Sequence, residues 1–278
     1  MVETIGPAGA SSTRQRRTLA VRGYALGRDI RGRSGRTLGW VLLGAIRARH
    51  RVAWYCRPSE YTDADPLKLI VVDPAVIVNQ QRPICDDPRV VAGLKDGFHK
   101  WKSIGLVVDG TWDEHTIPMH ELVKFSSLTA HFAQGVPWLE TEFVREVLAG
   151  RRVWNRCKTE EDVLRRGREL DRLFDQIRFR GYRSRIERRD WDLWHQAIDE
   201  VTVNIGRHGE LIRNNGGTHR LAIAKALGVE HVPARVLIRH HAWQAVREAV
   251  RRTNEVPSEY VNHPDLLDVA RTGRETAR

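Results

Sequence analysis

At 278 residues the chain can bury a sizeable core in one or two domains, and 41% apolar with 29% charged residues is the balance of a soluble globular protein. Cys56, Cys85 and Cys157 are its only cysteines; they are far apart and form no CxxC pair, which argues against a disulfide framework or cysteine zinc site and for a reducing cytoplasm. The net charge of +11 is unusual, and residues 1–51 hold nearly all of it, with eleven Arg against Glu3 and Asp29.

Residues 1–36, rich in Gly, Ser and Arg without an apolar period, read as a basic flexible arm. Such a block over 1–51 suits DNA or an acidic membrane surface. The bland alternative is genome composition, since only seven of 46 basic residues are Lys. Residues 37–66 read as a helix and a polar linker. The apolar run Leu38–Ile46 is about half the length of a spanning helix, so no transmembrane span is expected. With Arg47, Arg49 and Arg51 behind it, that run suits either a docking helix or an interfacial helix, peripheral to a membrane.

Leu67–Val72 is a short β-rich run ended by Asp73-Pro74, a strand followed by a turn. Residues 82–199 read as mainly helical, with a strand and an Asp109-Gly110 turn over 103–115 and a helix over 137–150 stopped by Gly150. The clearest helix begins at Thr159, where Thr159 and Asp162 form a capping box, and Val163, Leu170, Phe174 and Ile177 keep helical spacing. Trp112, Trp138 and Trp243, like Trp101, Trp191 and Trp194, read as core or interface residues.

From residue 200 the pattern becomes β-turn-β-loop-α-β. Val201, Val203 and Ile205 alternate with polar residues as a half-buried strand. Arg207-His208-Gly209 is its turn, and residues 210–213 return. A helix is expected from His219 to Leu227, stopped by Gly228, and a third strand over 231–240. A helix follows over 242–252, and 253–278 reads as a polar tail, frayed beyond Pro257. The fold class is α+β: a small mixed sheet with helices, residues 67–252, interrupted by the helical stretch 82–199.

The stretch Asn214–Arg220, NNGGTHR, carries most of the functional signal. Gly216 and Gly217 permit positive φ and close backbone approach. Thr218 is a natural N-cap, and the unpaired N–H groups of a helix start favour an anion. His219 adds a switchable donor and Arg220 a planar fork matched to phosphate. A plain capped loop is the competing reading. Arg207 in the hairpin turn and Arg239 at the last strand's end are further cationic candidates. Glu200 and Glu210 are the nearest carboxylates for a base or metal role. His208, His219, His231, His240 and His241 crowd this region, but no pair has metal-ligand spacing with a third acid, so no structural metal site is expected.

GGTHRLAIAKALG (216–228), followed by VPARVLI, resembles the phosphate-binding box of the ParB/sulfiredoxin superfamily, and LKLIVVDPAVIV (67–78) resembles that fold's first strand, whose VDP introduces a short helix. The resemblance covers residues 67–81 and 200–240. It implies a nucleotide, ATP or CTP with Mg2+, whose phosphates lie over Asn215, Gly216, Gly217, Thr218, His219 and Arg220. It also implies a phosphotransferase or NTPase as the possible activity. Three departures narrow this. Thr218 stands where sulfiredoxins place a catalytic cysteine, Gly216 stands where kinase-like members place Asp, and no helix-turn-helix module is legible in the 38 residues after His240. A nuclease would need a carboxylate pair for metal, and none stands out. The alternative function is a non-catalytic protein holding DNA or an anionic membrane through the arginine-rich arm.

Overall fold

The computed structural model describes residues 41, 43–82, 103–155, 157–184, 200–214 and 216–270. The basic arm, Asn215, Cys85, Trp101, Trp191 and Trp194 lie outside the described residues, as does the polyanion reading of residues 1–36.

The chain forms a mixed α+β fold on one seven-stranded sheet. Helix α1 covers 43–56. Strand β1 (Leu69–Val72) then runs into a 3-10 turn at Pro74–Val76, where the Asp73 carboxylate accepts from the Ala75 N–H at 2.7 Å. The Asp-Pro pair acts as read: the carboxylate caps, and proline's fixed φ suits the first helical position. Next come β2 (Asn79–Gln81), β3 (Leu106–Val108) and β4 (Thr116–Pro118). Three helices follow: α2 (Val123–Gln134), α3 (Glu142–Leu148) and α4 (Glu160–Arg180). The hairpin of β5 (Val201–Ile205) and β6 (Leu211–Arg213) leads to α5 (Thr218–Ala226), β7 (Val232–His240) and α6 (His241–Thr253).

The strand order is β1-β7-β5-β6-β2-β4, with β3 also on β7. β7 is nine residues long and takes two partners in tandem along one edge. Its first half pairs antiparallel with β1 and its last three residues pair parallel with β3. Its other edge pairs parallel with β5, and α5 is the crossover between β6 and β7. The stretch 82–199 is therefore not a purely helical insertion, because β3 and β4 are strands of the central sheet.

Two apolar layers sandwich this sheet. Val201, Val203, Ile205, Leu211 and Ala234 pack against Leu128, Val144, Trp154, Leu170 and Leu221 from α2 to α5 and the loops between them. On the opposite face Ile212 and Leu237 pack with Leu43, Ile46, Ala53 and Trp54 of α1. α1 is thus a docking helix with exposed Val52 and Tyr55, and no helix among the described residues is long and apolar enough to cross a membrane.

α4 starts at the expected capping box, with the Thr159 hydroxyl and Asp162 carboxylate each bonded to the other's backbone N–H. Val163, Gly167, Leu170 and Ile177 are its buried stripe. Gly167 lets the helix close on Trp138, since a Cβ there would lie 2.6 Å from the indole ring.

Beyond Pro257 the chain departs from the frayed tail expected of it. Asp265 and Leu266 are buried, and Asp265 is paired with Arg239 of β7. The Trp243 indole donates to the same carboxylate at 3.0 Å. Arg247 of α6 then bonds Asp63 at 3.1 Å and Asp268 at 2.9 Å. Charge pairing in an apolar setting tethers a segment whose polar composition reads as loose.

Candidate functional site: a cationic cluster at the start of α5

The loop between β6 and α5 is pinned to β5. The Asn214 N–H donates to the Thr202 carbonyl at 2.8 Å, and the Gly216 N–H donates to the Thr202 hydroxyl at 2.8 Å. A Cβ on Gly216 would strike the Thr202 side chain and the Glu200 carbonyl. Gly217 lies in the left-handed region at φ 69°, and a Cβ there would sit 2.7 Å from the Val201 Cα. Both glycines are therefore spent on packing the loop against β5. Close ligand approach is not what requires them.

Gly217, not Thr218, is the N-cap of α5, and no side chain caps the helix. The Thr218 hydroxyl instead accepts from the Arg213 guanidinium. The first-turn N–H groups of α5 therefore lack a side-chain acceptor, and the positive end of the helix dipole is uncompensated.

Around that end the fold gathers cations from three elements, with His219 of α5 among them. Arg213 is the last residue of β6 and shares the inward face with Leu211; it is 3% exposed, and among the described residues its Nε has no hydrogen-bond partner. Burial lowers its pKa to about 10. Lys124 comes from the first turn of α2, with its ammonium 5.5 Å from the centre of the Phe143 ring. Burial, then the charges of Arg213 and Arg166, bring Lys124 down to about 8. Arg166 of α4 bonds Glu169 at 2.6 Å, leaving its Nε buried without a partner. His219, on α5, accepts from the Trp154 indole through Nε2 at 3.3 Å. That bond puts the ring proton on Nδ1. Burial, followed by Lys124, Arg166 and Arg213, lowers His219 to about 3, so it is neutral at physiological pH.

Among the described residues no carboxylate counts among the influences on Arg213, Lys124 or His219. Holding like charges together in a half-buried setting is unfavourable unless an anion joins them. Gly217, Thr218, His219, Lys124 and Arg166 keep partial exposure around the buried Arg213, which leaves the cluster reachable from solvent.

The expected site residues divide clearly. Gly216, Gly217, Thr218 and His219 are together at the α5 start. Arg220 is there too, but its guanidinium is engaged: it bonds Glu200 at 3.3 Å, donates to the Arg183 carbonyl and lies 4.4 Å from the Tyr182 ring centre. It is a strut between β5 and the exit of α4, and Glu200 is its counter-charge. Arg207 is at the far turn of the hairpin, where Asp113 holds it at 2.7 Å and Glu114 at 2.9 Å. Five residues of β5 separate that turn from the loop, about 16 Å at strand rise. Glu210 is at that turn as well, accepting from the His208 N–H at 2.9 Å. Arg239 belongs to the Asp265 pair. Among the described residues no group of three His, Cys, Asp or Glu is placed to hold a metal.

Arg213, Lys124 and Arg166 were missed by attention to the glycine box alone. One signal was legible. In a strand whose inward positions alternate, Arg213 occupies the inward slot two residues after Leu211, where a charge needs a reason. Lys124 and Arg166 carry no comparable mark, because only the packing of α2 and α4 on α5 brings them there. No family model, curated protein or solved structure matches the chain.

Proposed function

We propose that this is a cytoplasmic nucleotide-binding protein that holds the phosphates of ATP or CTP at the start of α5. The observation that carries the reading is the buried Arg213, flanked by Lys124 and Arg166 beside an uncapped helix N-terminus, with no carboxylate counter-charge acting on it among the described residues. Phosphate oxygens would accept from the α5 backbone N–H groups and from His219 Nδ1–H, with Arg213 behind them and Lys124 and Arg166 at the sides. The resemblance of residues 67–81 and 200–240 to the ParB/sulfiredoxin core supports the same reading. Its contribution is the glycine box, while the charges come from outside the box.

The reading is one of binding. Glu200, whose backbone carbonyl adjoins Gly216, already neutralises Arg220. Phosphotransfer or NTP hydrolysis would need a base from elsewhere.

Isothermal titration with ATP, CTP and inorganic pyrophosphate tests the reading. Binding is expected, and Arg213→Gln weakens it ten- to a hundredfold, the worth of about 1.5–3 kcal/mol for a hydrogen bond to a charged group. Arg207→Gln binds like the wild type. Absence of binding by every ligand, or equal binding by Arg213→Gln, overturns the proposal.

A further inference from the structure

The resemblance implies Mg2+ beside the nucleotide, and the residues at the α5 start do not fit that ion. We infer that Lys124, Arg166 and Arg213 take its place, so that the site binds a diphosphate or longer polyphosphate without a divalent cation. This inference rests on the phosphate-binding reading and specifies its ligand.

Hard divalent cations are held by oxygen ligands, above all carboxylates. The side chains converging here are two guanidiniums, one ammonium, one hydroxyl and one imidazole. The Thr218 hydroxyl is taken by Arg213, and His219 Nε2 is taken by the Trp154 indole. The carboxylates paired to residues of this region are committed: Glu200 to Arg220 at 3.3 Å and Glu169 to Arg166 at 2.6 Å. Among the described residues no three metal-ligating side chains come together anywhere. Three fixed positive charges also repel a dication and offer the neutralisation it would otherwise supply.

With Arg166 already offset by Glu169, the unpaired excess is Arg213, Lys124 and the positive end of the helix dipole. A phosphate monoester carries about two negative charges at neutral pH, and a pyrophosphate group adds the further oxygens needed to engage Arg166 as well. Arg213 is buried while Lys124 and Arg166 are partly exposed, so the cationic groups range from a buried to a solvent-facing position.

Calorimetry of the full chain with inorganic pyrophosphate, once in EDTA and once in excess Mg2+, tests this. Binding in EDTA is expected, at least tenfold tighter than orthophosphate, with Mg2+ leaving it unchanged or weakening it by chelating the ligand. Lys124→Gln, checked by its melting curve, loses about tenfold in EDTA, and Lys124→Arg recovers most of the loss. Arg166→Gln provides the same reading if Lys124→Gln folds poorly. Binding only with Mg2+ overturns the inference and leaves the phosphate site standing. Wild-type affinity in both glutamine variants also overturns it. No binding in either arm overturns the phosphate reading and this inference with it.

Discussion

Lys124 rather than His219 is the titrating group of the cationic cluster, although an exposed histidine would have the more responsive pKa. Burial and three neighbouring cations hold His219 near 3, so passage through pH 6.5 leaves its charge unchanged. Lys124, at about 8, loses its proton within reach of ordinary buffers. An anion binds the protonated form, so pyrophosphate affinity should fall above pH 8, by about the tenfold that Lys124→Gln loses once the ammonium is deprotonated. Lys124→Arg should remove that fall, because a guanidinium stays charged; a fall that persists in Lys124→Arg would assign the titration to another group. Arg213 permits a complementary measurement. Its buried charge lacks a carboxylate partner among the described residues, so Arg213→Met should stabilise the free protein by about 1–3 kcal/mol while weakening anion binding at least tenfold. Thermal melts with and without pyrophosphate separate the two effects, and a destabilised variant would show that Arg213 serves the fold instead.

The β6–α5 junction works because two consecutive glycines let the loop lie flat on β5. Gly217 combines a left-handed φ of 69° with contact at the Val201 backbone. Alanine there meets both the conformational cost and the clash, so Gly217→Ala should lower stability by about 2–4 kcal/mol in denaturant titration. It should also displace the α5 start and weaken anion binding. An alanine variant with wild-type stability would mean that the loop does not lie against β5. The helix itself buries Leu221, Ala222, Ile223 and Ala224, and Lys225 near its end donates to the Ala75 carbonyl at 3.3 Å. The element that presents its N-terminus to solvent is thus held firmly along the rest of its length.

At the scale of the whole molecule, the segment after α6 closes the fold through charge rather than apolar area alone. Burial pushes the Asp265 carboxyl upward, but Arg239 and Arg247 outweigh it and hold the pKa below the usual carboxylate range. In Asp63 burial is likewise outweighed by Arg247, and in Asp268 by Arg247 and Lys68. Carboxylates depressed in the folded state contribute stability above the unfolded value of about 4, and that contribution is lost as pH falls below it. Stability should therefore hold from pH 7 to 5 and drop steeply below pH 4. Asp265→Asn should cost about 3–5 kcal/mol, because Arg239 loses its buried counter-charge. Unfolding curves against pH check both, and a variant as stable as the wild type would make the clasp incidental.

Local periodicity and chain stiffness were enough to read much of this protein from its residues. The Asp73-Pro74 turn, the Thr159–Asp162 capping box and the helix after the glycines all arise from interactions within a few residues, which a linear sequence displays; the strand Val201–Ile205 was legible too, but it is buried on both faces, not on one as its alternation suggests, because layers pack on each side of the sheet. The glycine loop was legible as a helix start for the same reason. Tertiary packing decided the rest. It assigned the glycines to β5, committed Arg220 to Glu200 and Arg207 to Asp113, and buried a tail that composition marks as polar. Above all it brought Lys124, Arg166 and Arg213 to one helix end from positions up to 89 residues apart (213 − 124). Electrostatic fields act through space and grow as solvent is excluded, so a charge cluster of this kind exists only once the chain has folded around it.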